Sequence, residues 1–360
     1  MRRIYIIFLA MLASVACTMD DVKDVNLGSE IEFRAVATKG VEITMSNFEI
    51  FQATALKPGD DPWFFEEEFT NGGGGSSFVS PGKKYYWPTD GSTLTFFAYY
   101  PYGQKLGGTV NVTNDSQTLE GFTTGSTGAS ITNQVDFISA VAEGSIATQG
   151  AVGLEFQHNL TQIEVKGRNS NAGYKCMVAG MRIANVISGG DFDFKTRTWT
   201  PDDQTAVYTV IYDEPRELGE LSVSMMPETG DNAMLVPQSV TAWDPVSDPS
   251  NTAEGAYIAL LVNIATASDI RTYPILNTSH DYRYPEYDWV AVPVSGTWEM
   301  GTRYVYTWDI PKVSGYVYPE KVLEEGSTDI FIPGKPVMGS AITASYLDVN
   351  VGGWTYKYME

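Results

Sequence analysis

The sequence predicts an all-β protein built of two tandem Greek-key β-sandwich domains, and three observations carry that expectation. Glycine (34 residues) and tyrosine (21) are abundant alongside threonine and valine, a composition suited to strands and turns. Apolar residues recur with period two, and no long Leu/Ala/Glu/Lys stretch of helical period interrupts them. Clusters of Gly, Pro, Asn and Asp separate short apolar runs, a spacing that suits a sandwich better than a parallel α/β sheet. A length of 360 residues gives two domains as the prior, placed at 30–148 and 149–360.

Residues 1–16 read as a secretory signal peptide. Arg2 and Arg3 supply a basic start, Ile4 to Ala13 an apolar run too short to span a bilayer, and Ser14, Val15 and Ala16 a processing site. Cys17 follows directly, which marks it for lipidation: cleavage before the cysteine, then acylation of its thiol and new amino terminus. Ser14 stands where such sites usually carry Leu, Val or Ile, so an ordinary signal peptide with an incidental cysteine remains open. Asp20 and Asp21 resemble a surface-export signal of Bacteroidia lipoproteins. No later apolar run is long enough to span a membrane, so attachment to the outer membrane rests on the acyl chains of Cys17. Residues 17–29 are then a lipidated, polar spacer.

The first strand follows. Glu30-Ile31-Glu32-Phe33-Arg34-Ala35 alternates strictly, with Ile31, Phe33 and Ala35 on one face. Further strands are expected at Met45–Leu56, Trp63–Phe69, Phe78–Tyr86 and Leu94–Tyr100, with a floppy hairpin tip at the glycine run 72–75. That run lacks a following Gly-Lys-Ser/Thr, so it is no phosphate cradle. Residues 103–134 read as a long surface connection with short strands. Val135 to Ile138 reads as the last strand before a junction at 143–150. The second unit is expected to begin at Val152–Leu160, with strands near 162–167, 177–187, 207–213, 219–226, 256–264 and 304–308, and a closing stretch at Ile342–Trp354.

Composition excludes some functions. There are 23 Lys and Arg against 44 Asp and Glu, a formal net charge of −21, and loss of Arg2 and Arg3 with the leader makes the chain more acidic still. Such a surface repels phosphate backbones and anionic headgroups, so no nucleic-acid partner is expected. The two histidines, His158 and His280, lack metal-ligand spacing, and no His-Glu-x-x-His, Cys-x-x-Cys, EF-hand or Gly-x-Ser-x-Gly motif is present. His158 reads as a hydrogen-bonded residue at the edge of a core. Acid pairs (Asp60/Asp61, Glu66–Glu68, Asp191/Asp193, Asp202/Asp203) read as solvated faces. A glycosidase pair across a cleft stays open, but nothing selects one. No catalytic residue, cofactor or metal is expected.

Several segments together resemble the fimbrillin family, Bacteroidia pilus subunits of two transthyretin-like β-sandwich domains. They are the leader ending at Cys17, Ile31-Glu32-Phe33, Tyr86-Trp87-Pro88 with Leu94–Tyr102, Val135-Asp136-Phe137, and Val152–Leu160 with its Phe-Gln-His-Asn-Leu core. Met234-Leu235-Val236-Pro237-Gln238, Gly301–Tyr306 and Gly339–Trp354 complete the set. The resemblance implies export as a lipoprotein, trimming by an Arg/Lys-directed protease, and loss of the first strand. A strand from another subunit then fills the opened groove. Cutting after Lys39 would release the whole strand carrying Ile31, Phe33 and Ala35; an Arg-specific protease would dictate cutting after Arg34, severing the strand midway. Anchor subunits would keep the segment.

At the other end, Ile342, Ala344 and Tyr346 alternate in one phase, and Leu347, Val349 and Val351 in the opposite one. These residues are a donor for a neighbouring subunit or a final edge strand at home, and the periodicity fits both. The implied function is a stalk or anchor subunit of a cell-surface fimbria, partnered by other subunits and a host or bacterial surface ligand. The competing reading is a monomeric surface lipoprotein that binds glycan or host ligand through aromatics such as Trp63, Tyr85, Trp87 or Trp289.

Overall fold

The computed structural model describes residues 29–37, 48–72, 76–103, 106–124, 131–132, 134, 136–148, 150–227, 231–274, 283–310, 312, 315–319, 337 and 348–353. Among them are 24 strands and no helix, so the fold is all-β. The first nine are β1 (Phe33–Ala37), β2 (Ile50–Leu56), β3 (Phe64–Thr70), β4 (Ser77–Phe78), β5 (Leu94–Tyr100), β6 (Thr109–Val112), β7 (Gln117–Thr123), β8 (Ile138–Gly144) and β9 (Val152–His158). Seven of them form one sheet in the order β3-β2-β5-β8-β9-β1-β4. Its ends meet: Thr70 and Val79 exchange backbone hydrogen bonds of 2.9 and 3.0 Å, rolling the sheet into a closed shape.

Inside that roll lies an aromatic-rich core of Phe51, Phe64, Phe69, Phe96, Leu154 and Phe156 with Phe33 among them. The run Leu94-Thr95-Phe96-Phe97-Ala98-Tyr99 is apolar on both sides because β5 is buried on both faces. Phe96 and Ala98 point into the roll, while Phe97 and Tyr99 join a second cluster outside it. The expected strand 78–86 shrinks to the two residues of β4 and isolated bridges at Val79 and Tyr86. Pro81 removes a ladder donor and Gly82 follows it, which stops a continuous strand.

The remaining strands are β10 (Thr161–Arg168), β11 (Tyr174–Ile187), β12 (Gly189–Asp193), β13 (Thr198–Pro201), β14 (Thr205–Leu218), β15 (Val223–Ser224), β16 (Ala233–Leu235), β17 (Gln238–Val240) and β18 (Tyr257–Thr266). They continue with β19 (Arg271–Tyr273), β20 (Asp288–Pro293), β21 (Gly296–Trp298), β22 (Thr302–Asp309), β23 (Tyr316–Val317) and β24 (Asp348–Gly353). Two sheets, β15-β10-β22-β24 and β14-β11-β18-β20-β23, share the largest core, with Ile163, Val165, Tyr304, Tyr306 and Trp308 from the first and Val178, Met181, Ile183, Leu260 and Val290 from the second. This is a β-sandwich. Strict alternation fails along β11 because two bulges reset its phase. Register shifts at Val178/Gly180 and Ala184/Val186 let Val178, Met181, Ile183 and Val186 all face the core. Gly180 is required at the first, since a Cβ there would lie 2.6 Å from the Val210 carbonyl oxygen.

The expected division at 148/149 falls between β8 and β9, which pair with each other through Ile138 opposite His158 and Ser139 opposite Gln157. A turn follows β8, with Thr148 N–H donating to Ser145 O at 2.8 Å. The chain changes sheet at Asn159-Leu160. The alternation of Val152, Leu154 and Phe156 marks a strand but says nothing of which sheet receives it. Residues 103–134 also do more than connect. Their hairpin β6–β7 joins β12 and β13 in a four-stranded sheet, order β13-β12-β7-β6. That sheet closes over Phe97, Tyr99, Phe137, Leu160, Phe192, Phe194 and Met234, an apolar cluster that draws residues from both halves of the chain.

Cys176 lies in the sandwich core with no exposed surface, and burial pushes its thiol up to about 12. In a chain with Cys17→Ser, a thiol reagent at pH 8 should therefore leave the folded protein unlabelled and react once per chain on denaturation. Rapid labelling of the native protein would show the core to be open there.

Candidate assembly site

β1 is not an edge strand. It runs parallel to β9, with Phe33 opposite Val152 and Ala37 opposite Phe156, and antiparallel to β4, with Phe33 opposite Phe78. The residues just before it continue the pairing: Ile31 N–H donates to Tyr85 O (2.7 Å), Trp87 N–H to Ser29 O (3.2 Å), and Val152 N–H to Glu32 O (2.8 Å). Withdrawing the segment 29–37 would leave two facing rows of unpaired backbone groups, on β9 and on the stretch from Ser76 to Trp87.

Its side chains alternate as a sheet requires. Ile31, Phe33 and Ala35 are 2%, 0% and 0% exposed, whereas Glu32 and Arg34 face solvent. Phe33 sits at the centre of an aromatic cage, edge-on to Phe69 (4.7 Å between ring centroids), Phe96 (5.0 Å) and Phe51 (5.9 Å). Edge-to-face rings of this kind add to plain area burial. Tyr85 packs against Phe64 at 4.6 Å in the wall beside Ile31; burial pushes its phenol up from the ordinary value, with Glu67 adding to the effect. On the outer face, Lys84 Nζ donates to Glu30 Oε2 at 2.6 Å, and this bond holds the ammonium above its ordinary range. Being exposed, that pair marks register more than it stabilises.

The two expected cleavage points differ in setting. Arg34 presents an exposed side chain, but the Arg34–Ala35 peptide bond is inside the ladder: Ala35 N–H donates to Ser76 O at 3.0 Å. A protease needs that backbone extended in its own cleft, so the folded strand shields this bond. Lys39, like Cys17, lies outside the described residues.

Of the expected C-terminal residues, Ile342, Ala344, Tyr346 and Leu347 also lie outside the described residues. Val349 and Val351 are on β24, which pairs antiparallel with β22, Val349 opposite Tyr306 and Val351 opposite Tyr304. β24 ends the row β15-β10-β22-β24, so among the described residues it occupies an edge of its own sandwich.

Several of the residues weighed for other chemistry are held in hydrogen-bond networks. His158 Nδ1 and Asp136 Oδ2 meet at 2.6 Å, both almost fully buried. Next to them Asn159 Nδ2 donates to Ser139 Oγ (2.8 Å), while Arg197 and the indole of Trp199 donate to Asn159 oxygens at 3.0 and 2.6 Å. The Phe-Gln-His-Asn-Leu stretch is thus a polar rivet where the chain changes sheets. His280 lies outside the described residues. Asp191 accepts from Gly121 N–H, Asp193 from Thr196 N–H and Asp202 from Gln204 N–H, each organising backbone. Among the described residues no three His, Cys, Asp or Glu side chains are grouped to hold a metal ion. Of the aromatics considered for glycan stacking, Tyr85, Trp87 and Trp289 are buried, Trp289 beneath the Arg182 guanidinium at 4.1 Å, and Trp63 is 38% exposed. The cage residues Phe51, Phe69 and Phe96 were visible in sequence only as strand aromatics; that they surround Phe33 was not.

A family model described as fimbrillin-like matches residues 34–330. Among solved structures, the chain is similar to a candidate cell adhesion protein of Bacteroides uniformis at 15% identity, covering 91% of this chain and 99% of that one with a TM-score of 0.42. A second, from Bacteroides ovatus, shows 16% identity over 79% and 94% of the two chains and a TM-score of 0.44. A candidate adhesin of Bacteroides thetaiotaomicron shows 11% identity over 78% and 91%, with a TM-score of 0.34. Overlaps of this degree add nothing to the functional argument. No curated protein matches the sequence.

Proposed function

The chain belongs to the fimbrillin-like family, and from that premise we propose that it is a structural stalk or anchor subunit of a cell-surface fimbria. It is exported as a lipoprotein through Cys17, held at the outer membrane, and assembled with other subunits by strand addition once an Arg/Lys-directed protease removes the segment carrying Ile31, Phe33 and Ala35. It supports adhesion and performs no catalysis. The observation that carries this reading is the position of β1: a five-residue strand inserted between β9 and β4, and the first strand in chain order among the described residues. A strand so placed can leave without dismantling the covalent path of the other six, and it leaves an apolar, strand-shaped slot that favours replacement.

Lys39–Gly40 is the favoured cut, since it frees the whole strand, whereas the Arg34–Ala35 bond is shielded by the ladder. In the anchor role the cut is not made and the same residues retain the tether. The division into a rolled N-terminal unit and a C-terminal sandwich is part of this reading. The test is N-terminal sequencing of surface-sheared protein together with electrophoresis after limited treatment with a Lys/Arg-directed protease. Polymer ladders containing this chain, with its N-terminus at Gly40, are expected for a stalk when the other surface subunits are present. Assembled material that always begins at Cys17 marks an anchor, and a persistent monomer retained by a polysaccharide column would favour the glycan-binding reading.

A further inference from the structure

We propose that the site held by β1 selects a donor strand from a different kind of subunit, one whose buried face reads aliphatic, aromatic, small at alternate positions, and that this chain's own C-terminal strand is a poor occupant. The inference rests on the reading that β1 is removed before assembly. The resident strand defines what the slot accepts. Ile31, Phe33 and Ala35 fill it almost without exposure, and the centre is a cage of three rings that meet Phe33 edge-on. An aliphatic side chain at the centre leaves those rings facing a void. At the Ala35 position the methyl group is fully buried, so a larger side chain overpacks. Outside the slot, Lys84 bonds to Glu30, which favours an acid one place before the aliphatic residue.

Residues 342–351, the candidate donor stretch, fail this template in each register. Leu347, Val349 and Val351 place an aliphatic residue at the centre and another on the Ala35 site. Ile342, Ala344 and Tyr346, aligned with Ile31, Phe33 and Ala35, put a methyl group in the cage and a ring where only a methyl group fits. Moving Tyr346 to the centre brings Asp348 onto the Ala35 site when the strand runs with β1, and onto the Ile31 site when it runs against it. Either register buries a carboxylate. A subunit whose donor lacks the central ring is matched to other grooves, so its groove and its donor specify different neighbours.

The test uses four labelled synthetic peptides: residues 29–37, the same with Phe33→Ala, residues 342–353, and the same with Val349→Phe. Each is offered to the full chain cut by a Lys-directed protease and, separately, to the uncut full chain carrying Phe33→Ala, with retention read by gel filtration. The 29–37 peptide should bind the cut chain, its Phe33→Ala form at least about 100-fold more weakly, the 342–353 peptide as weakly, and its Val349→Phe form roughly 10-fold better than its parent. The uncut variant should rank them identically. Equal binding of the 342–353 and 29–37 peptides, or no gain from Val349→Phe, overturns the proposal and leaves strand removal standing. A cut chain that keeps its own strand while the uncut variant ranks the peptides as stated overturns strand removal and leaves the selectivity standing. Binding to neither protein overturns both.

Discussion

Phe33→Ala should lower folding stability by about 3–5 kcal/mol, a loss read from urea or thermal unfolding of the intact chain. The side chain is fully buried, edge-on to Phe51, Phe69 and Phe96, so truncation opens a cavity walled by rigid rings that cannot collapse into it. β1 is also held by backbone pairing on both sides, which keeps the sheet from sliding to fill the space. Arg34→Ala, one residue along but exposed, should change stability by no more than about 0.5 kcal/mol. The contrast bears on the proposed assembly, in which the slot left by β1 must bind a replacement strand strongly enough to drive exchange. If Phe33→Ala proves nearly neutral, the slot contributes too little to drive assembly, and strand addition loses its energetic basis.

How much of this could be read from sequence depends on which residues spoke for themselves. The strand at 30–35 was legible because Ile31, Phe33 and Ala35 alternate with charged residues, and Leu94–Tyr100 because a run rich in β-favouring Thr, Phe and Tyr is bounded by turns. The parallel partner of β1 was not legible. Val152, Leu154 and Phe156 alternate just as well for a strand opening a second unit as for one closing the first, and pairing across more than a hundred residues leaves no local mark. The hairpin at 109–123 looked like a surface connection because its Gly, Thr, Ser and Asn residues are polar. The buried Val112, Leu119 and Phe122 that attach it are too few to stand out. β12 and β13, at 189–201, were missed for the same reason. At the candidate site, alternation gave the inserted strand itself, but the cage around Phe33 needs three strands brought together from positions 51, 69 and 96.

The second large effect is expected at the joint between the two halves. Phe137→Ala should cost about 3–5 kcal/mol and, beyond that, split a single unfolding transition into two. Phe137 has no exposed surface and packs against Phe192 at 5.2 Å, Phe122 at 5.9 Å, and Phe194 and Trp199 at 6.1 Å each, while its carbonyl accepts from Asn159 N–H at 2.9 Å. It therefore ties the four-stranded sheet, which mixes strands from both halves, to the point where the chain passes from β9 to β10. The rolled sheet and the sandwich otherwise keep separate cores. Calorimetry of the intact chain should give one transition, and Phe137→Ala two, with the rolled sheet and the sandwich melting apart. Val246→Ala, at an 82% exposed position, is the control and should leave the profile unchanged. In the proposed role as a pilus subunit, a joint built from shared aromatic packing would transmit load where a bare linker would hinge. If Phe137→Ala melts in one step at a merely lower temperature, the two halves are coupled elsewhere and the aromatic cluster is not what joins them.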